Sequence, residues 1–267
     1  MSRSLEAIRH TRVGGIRTAC ISLADLIDLM LRDAGENRAN DLAPKLCFDS
    51  NGQAVSMYHT DPAYREAVDS ADIVHADGFV IVGSSGVFSS ERIPDRSSTT
   101  DLFLDCLPKA AALGTKFFIL GGKESTNFRC VEICNKAYPA LDIVGRHHGY
   151  FDRDEEGEIV DLINRSGADV LWVGLGKPIE QYFAVRNQRK LKVGWIVTCG
   201  GLFNFVTGEY PRAPVWMQRS GLEWLHRLIT NPRKLFWRYL KTNPHALWLI
   251  WRDRKANGSP RMNSIGS

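Results

Sequence analysis

The feature that most limits the fold is a regular alternation of apolar strands and amphipathic helices between residues 116 and 198. Short apolar runs bounded by glycine turns are typical of strands that are buried on both faces. Strands that alternate with helices form βαβ units, in which neighbouring strands run parallel. The predicted strands are 116–120, 141–144, 170–173 and 195–198, and the predicted helices between them are 125–137, 155–165 and 180–190.

The preceding part of the chain predicts more elements of the same core. They are a strand pair over 12–21, a helix capped by Ser22 that runs through 31, a strand at 45–48, a helix over 61–70, a strand at 72–76 and a helix over 102–113 capped by Asp101. We therefore predict an α/β fold with a Rossmann-like, mostly parallel sheet and helices on both faces. Residues 1–208 would form this core.

The C-terminal part has a different composition. Residues 212–255 contain ten Lys or Arg against two carboxylates, a net charge of +8, whereas the whole chain carries +4 and the remainder therefore −4. Five of the seven Trp also lie there. Basic and Trp-rich helices are typical of segments at a lipid headgroup layer. We predict a helical appendage over residues 209–267 that meets an anionic partner.

The sequence also predicts the cellular location of the protein. It has no run of eighteen apolar residues, so we expect no membrane-spanning helix. Residues 1–17 are basic and have no apolar segment of the kind found in signal peptides. The six Cys lie mostly in apolar segments, as reduced core thiols do. We expect a cytoplasmic protein.

Three predicted strands end in glycine-rich turns, at Gly121-Gly122, at Gly174-Leu175-Gly176 and at Cys199-Gly200-Gly201. Ligands of open parallel sheets bind beyond the carboxyl ends of the strands, where glycine lets a phosphate approach the backbone. The alternative is that these are only tight turns. The P-loop motif and the GxGxxG motif are both absent.

Asp77 is the best candidate for catalysis, because it directly follows the predicted strand 72–76. By itself, Asp-Gly after a strand is a common turn signal. From these residues alone, the turn is the favoured interpretation.

A set of motifs near the C-terminus identifies a family resemblance. The chain has Arg212-Ala213-Pro214, then Leu222-Glu223-Trp224 with Arg227, then Asn231-Pro232-Arg233 and finally Arg238-Tyr239. In this order the motifs resemble those of the WecG/TagA/CpsF family of bacterial glycosyltransferases. The resemblance covers roughly residues 45 to 240. It implies that Asp77 is the general base of an inverting sugar transfer.

The same resemblance, together with the glycine-rich turns that supply Gly121, Gly122 and Gly200, predicts substrate-binding residues. They are Ser50, Asn51, Gly78, Arg92, Gly121, Gly122, Gly176, Pro178, Glu180, Gln181, Gly200, Arg212, Arg227, Arg233 and Arg238. Two departures stand out: Glu180-Gln181 reverses the family's Gln-Glu order, and Ser50-Asn51 matches its Thr-x-Asn loop only loosely. The alternatives, which involve no substrate, are an Asx turn at Asn51 and a solvated basic helix face for the arginines.

The resemblance implies a UDP-sugar donor and a monosaccharide on undecaprenyl diphosphate as acceptor, in exopolysaccharide or cell-wall polymer synthesis. The enzyme would bind the inner face of the membrane peripherally. We expect no cofactor and no metal, since no DxD-like pair follows a strand and arginines can hold the diphosphate. We expect no nucleic-acid partner, and a homo-oligomer is left open.

Two other classes of protein remain as alternatives. A nucleotide-dependent oxidoreductase would explain the βαβ pattern, although its glycine motif is missing. A nucleic-acid-binding module would explain the basic aromatic appendage.

Overall fold

The computed structural model describes residues 5–88 and 91–257. The strands are β1 His10–Val13, β2 Ile16–Ala19, β3 Lys45–Ser50, β4 Ile73–Ala76, β5 Lys116–Gly121, β6 Asp142–His147, β7 Val170–Gly174 and β8 Trp195–Thr198. An antiparallel hairpin joins β1 to β2, and the other strands form one parallel sheet in the order β4-β3-β8-β7-β5-β6. This confirms the predicted α/β class.

The helices alternate with these strands and then continue beyond the sheet. They are α1 Leu23–Ala39, α2 Gly52–Thr60, α3 Pro62–Asp69, α4 Phe79–Phe88, α5 Thr99–Leu113, α6 Glu124–Ala137, α7 Glu156–Ser166, α8 Ile179–Asn187, α9 Leu202–Val206, α10 Val215–Arg219, α11 Glu223–Thr230 and α12 Pro232–Asn257. Single 3-10 turns lie at Leu5–Ala7 and Arg153–Glu155.

Two details of the prediction are corrected. Helix α1 continues past residue 31 to Ala39, because Ala34 and Asn37 extend its buried face. Helix α5 is capped by Ser98 rather than by Asp101: the Asp101 amide donates to the Ser98 hydroxyl at 3.2 Å. The cap at Ser22 is confirmed, since its side chain accepts from the Asp25 amide at 3.1 Å.

The sheet is covered on both faces because each central strand sends alternate side chains to opposite sides. Phe117 and Ile119 of β5 pack into one core cluster with residues of α1 and α5. Phe118 and Leu120 of the same strand pack into another cluster with residues of α7 and α8. The continuous apolar pattern of the strand is the pattern that burial on both faces requires.

The end of α12 packs into the core of the protein. Ala246, Leu249 and Ile250 are at most 5% exposed and share an apolar cluster with residues of the hairpin, α2 and α4. Ser56 and His245 join α2 to α12 through a hydrogen bond of 2.9 Å. The boundary after residue 208 stays a prediction, and α12 is docked on the sheet domain. Among the described residues, no helix is both long and apolar enough to cross a bilayer.

Candidate active site

The carboxyl ends of β3 and β4 lie side by side, because the two strands pair in parallel with Ser50 opposite Ala76. The next residues, Asn51 and Asp77, are therefore neighbours at the edge of the sheet. The Asn51 amide nitrogen Nδ2 lies 3.2 Å from Asp77 Oδ2 and donates to it. Ser50 is fully buried in this structure, whereas Asn51 is only partly buried. The structure thus brings together two of the predicted site residues.

Asp77 is held by the segment that leads into α5. The Thr99 amide donates to Asp77 Oδ1 at 3.1 Å, and Arg96 Nε donates to the Asp77 carbonyl oxygen at 2.8 Å. Among the described residues, Oδ2 accepts a hydrogen bond only from Asn51. This oxygen therefore has a remaining lone pair for a substrate proton.

The Asp77 carboxyl is ionised at neutral pH. Burial opposes its ionisation, but the positive charges of Arg96, Arg227 and Lys177, together with the Asn51 hydrogen bond, outweigh it and lower the pKa below the usual value for an aspartic acid. Asp77 therefore has the charge state that a general base needs.

Asp77 faces a cleft of about 410 Å³ that lies between this edge of the sheet and helices α11 and α12. Asn51 and Gly78 line it from the sheet side, and Arg227 lines it from α11. Trp224 and Tyr239, also in the lining, meet edge to face with ring centroids 6.3 Å apart. The cleft thus combines a carboxylate, cations and aromatic surface.

Glu223 connects the appendage to Asp77. Its Oε2 accepts from Arg96 Nη2 at 2.6 Å and its Oε1 accepts from Arg227 Nη2 at 2.8 Å. The Arg227 guanidinium also lies 4.5 Å from the centroid of the Phe205 ring. Because Arg96 binds the backbone of Asp77, these contacts fix the distance between α11 and Asp77.

Three other predicted arginines, Arg92, Arg212 and Arg233, are not among the described residues that line the cleft. Arg212 is paired with Asp101 near the start of α5, and Arg92 and Arg233 are exposed. The side chain of Arg238 lies outside the described residues. Arg227 is therefore the predicted appendage arginine that the structure places beside Asp77.

The glycine turns occupy the other half of the carboxyl edge. Gly121, Gly122, Gly176 and Gly200 all have positive φ, between 53° and 131°. A Cβ added to Gly121 would lie 2.3 Å from the carbonyl oxygen of Gly174, so close packing of the two backbones requires glycine there. At Gly176 an added Cβ would meet nothing within 4 Å.

Glu180 and Gln181 are fully buried at the start of α8, which follows Pro178. Glu180 Oε2 accepts from the Gly176 amide at 3.0 Å and the Gly200 amide at 2.9 Å, and thereby joins two of the turns. Burial raises the pKa of Glu180 to about 7, although nearby Lys177 opposes the shift. In this structure the pair supports the turns, and contact with a substrate stays a prediction.

Sequence reasoning missed four polar residues of this site: Asp49, Arg96, Lys177 and Glu223. Lys177 pairs with Asp49, which is 128 residues earlier in the chain, and Arg96 pairs with Glu223, which is 127 residues later. No local spacing predicts such pairs. Glu223 does belong to the Leu-Glu-Trp motif that indicated the family, and this was the one signal for it.

A carboxylate kept ionised at the edge of a parallel sheet, next to arginines in a cleft, suits a transferase that deprotonates a hydroxyl and releases an anionic group. Comparison with known proteins gives the class: the chain belongs to the WecG/TagA/CpsF family of glycosyl transferases, whose model matches residues 11–260. It is therefore a glycosyltransferase rather than an oxidoreductase or a nucleic-acid-binding module.

A curated relative has an activity of this class. Over 200 residues the chain is 28% identical to the N-acetylglucosaminyldiphosphoundecaprenol N-acetyl-beta-D-mannosaminyltransferase of Bacillus spizizenii. The match covers 75% of this chain and 76% of the relative.

Proposed function

We propose that this enzyme transfers a sugar from a UDP-sugar to a monosaccharide on undecaprenyl diphosphate, with inversion to a β linkage. The reaction would serve exopolysaccharide or cell-wall polymer synthesis. The observation that carries the proposal is the ionised Asp77 in a cleft shared by the sheet and the appendage. The activity named for the Bacillus spizizenii relative supports the lipid-linked acceptor and the β linkage.

Asp77 would act as the general base. The acceptor hydroxyl oxygen attacks the anomeric carbon of the donor and forms the new glycosidic bond. Its proton passes to Asp77 Oδ2, and the bond between the anomeric carbon and UDP breaks, with the electron pair leaving on UDP. Attack from the face opposite UDP inverts the anomeric centre.

Cationic groups would stabilise the charge that develops on UDP. Arg227 and Arg96 both lie in the cleft lining, and both have a carboxylate partner in Glu223 that holds them in place. Charge-assisted hydrogen bonds from fixed arginines are strong, and they act most on an oxyanion that forms during the reaction. Arg212 and Arg233 would add to this only after a movement of the appendage, and a contact of Arg238 stays a prediction.

The donor would bind along the glycine half of the edge. Gly122, Gly176 and Gly200 follow β5, β7 and β8 with positive φ, and their turns lie at the carboxyl ends of adjacent parallel strands. This is the part of an open sheet where nucleotides bind. The resemblance to a mannosaminyltransferase makes UDP-N-acetylmannosamine the first donor to test.

The appendage would hold the enzyme at the inner face of the membrane. Trp216, Trp237, Trp248 and Trp251 are each more than half exposed, and their segment carries a net charge of +8. Exposed Trp anchors at headgroups, and each basic residue near an anionic leaflet adds about 1 kcal/mol. The acceptor lipid would then reach the cleft from the side of α11 and α12.

An assay of UDP release tests this function. The full chain would be incubated with a panel of UDP-sugars and a short polyprenyl-diphosphate-N-acetylglucosamine, and the product linkage read by NMR. We expect release with one donor, dependent on the acceptor, and a β-linked product. Retention of the donor's anomeric configuration, or turnover without the acceptor, would contradict the proposal.

A further inference from the structure

A buried ion pair lies directly behind the cleft. Asp49 is on β3, and Lys177 is in the turn between β7 and α8; their side chains are 5% and 8% exposed. Lys177 Nζ donates to Asp49 Oδ2. Burying two charges has a large desolvation penalty, so such a pair is weak evidence of a purely stabilising role. The hydrogen bonds of Asp49 indicate a second role for this ion pair.

Asp49 and Asp77 share one hydrogen-bond donor. Asn51 Nδ2 lies 3.0 Å from Asp49 Oδ2 and 3.2 Å from Asp77 Oδ2. The orientation of this amide is fixed, because Asn51 Oδ1 caps α2 by accepting from the Ala54 amide at 3.1 Å. The nitrogen, which carries both amide hydrogens, is therefore directed at the two carboxylates.

Two carboxylates that share a neutral amide repel each other, and one of them takes up a proton unless a cation is near. Asp49 has its cation in Lys177. We propose that Lys177 is a positioning residue for the general base: it neutralises Asp49, so that Asn51 can bind two ionised carboxylates and Asp77 stays free to accept a proton. This inference rests on the proposed role of Asp77.

Other charged groups surround both residues. Asp77 also faces Arg96 and Arg227, which share Glu223, and buried His75, whose pKa is lowered by its burial. Lys177 also faces Tyr64 and Glu180. Because both arginines remain when Lys177 is replaced, the Asp77 carboxyl should still ionise, but at a higher pH.

The direct test measures the titration of Asp77 without substrate. Full-length protein labelled with ¹³C at the aspartate carboxyl carbons would be titrated by NMR, and the Asp77 signal identified by its loss in Asp77→Asn. We expect Lys177→Met to raise the Asp77 titration midpoint by about one pH unit. Asp49→Asn should move it the other way, and the double variant should return it toward the wild-type midpoint.

Opposite shifts in the two single variants are the outcome that a merely structural role does not produce. If Lys177→Met folds poorly because Asp49 is left unpaired, the Asp77 midpoints of Asp49→Asn and of the double variant still test the inference. An unchanged or raised midpoint in Asp49→Asn would overturn the inference.

A second, partly buried ion pair is the control. Arg38 and Asp169 pair at 2.6 Å at the amino end of the sheet, with side chains 35% and 8% exposed. Arg38→Met should lower the stability as Lys177→Met does, without moving the Asp77 titration. If it moves the midpoint equally, the shift reflects general loosening of the fold, and the inference fails.

Kinetics separate this inference from the proposed function. With UDP-N-acetylmannosamine and the short acceptor, the acidic limb of kcat/KM should move to higher pH in Lys177→Met, while the rate at high pH recovers. If Asp77→Asn is fully active, the function of Asp77 fails, whatever the NMR result. If Asp77→Asn is inactive and Lys177→Met only weakens UDP binding, without a shift in titration, Lys177 is a donor ligand and the inference is wrong.

Discussion

The two halves of the carboxyl edge of the sheet are built in different ways. Where β3 and β4 end, the contacts are between charged or amide side chains, around Asp77 and Asn51. Where β5 and β7 end, they are between glycine backbones, such as Gly121 against Gly174. The first half fixes charges and the second fixes the path of the chain. Substitutions in the first should lower turnover with the fold intact, and those in the second should lower stability.

The largest effect is expected at the base. Asp77→Asn removes the proton acceptor, and it leaves one acceptor oxygen where Thr99 and Asn51 now donate to two. Turnover should fall by about 10² to 10⁴, with donor binding nearly unchanged. UDP release and calorimetric UDP binding measure the two quantities. Exposed Asp154→Asn is the matched control; activity of Asp77→Asn within a few fold of the wild type would remove Asp77 from the mechanism.

The second largest effect, on stability, is expected in the glycine half of the edge, where β5 and β7 end. Gly121→Ala places a Cβ against the Gly174 backbone at a position where φ is 131°. Neither backbone can move away without a cost in free energy. The free energy of unfolding should fall by about 2 kcal/mol or more, as measured by urea denaturation.

Gly35→Ala is the control for this substitution, because the added Cβ meets nothing within 4 Å and the residue lies within α1. Its effect should be neutral or slightly stabilising. A Gly121→Ala variant of normal stability would break the comparison, since close packing against Gly174 would then not be what requires glycine at this position.

A smaller effect is expected where the appendage meets the charged half. Arg227→Ala should lower turnover with a water-soluble acceptor by roughly tenfold to a hundredfold, because Arg227 lines the cleft beside Asp77. Arg233→Ala removes the same charge from an exposed position of α12 and should change turnover by about twofold at most. Equal losses in both variants would indicate that the appendage acts through its net charge alone.

The smallest effect is expected from metal removal. Since we assign the charge on the leaving diphosphate to arginines, EDTA should leave the rate of UDP release nearly unchanged. Activity that is abolished by EDTA and restored by Mg²⁺ or Mn²⁺ would refute this assignment and leave Arg227 as a residue that supports the fold.

The sequence by itself determined the elements and their class. The predicted strand at 195–198 matches β8, and the strand at 170–173 is β7 less its final glycine. Periodicity, glycine turns and capping residues are local signals, and they are strong where a strand is buried on both faces. The sequence also placed Asp77 at a strand end and indicated the family through the C-terminal motifs, which the family model confirmed.

The tertiary structure decided which residues surround Asp77. The strand order places β3 between β4 and β8, and this brings Asn51 to Asp77 and Lys177 to Asp49. It also docks α12 on the hairpin and α2, which the charge pattern of the appendage did not indicate. Hydrophobic periodicity specifies which face of an element is buried but not which element covers it, so contacts across more than a hundred residues depend on the packing of the whole sheet.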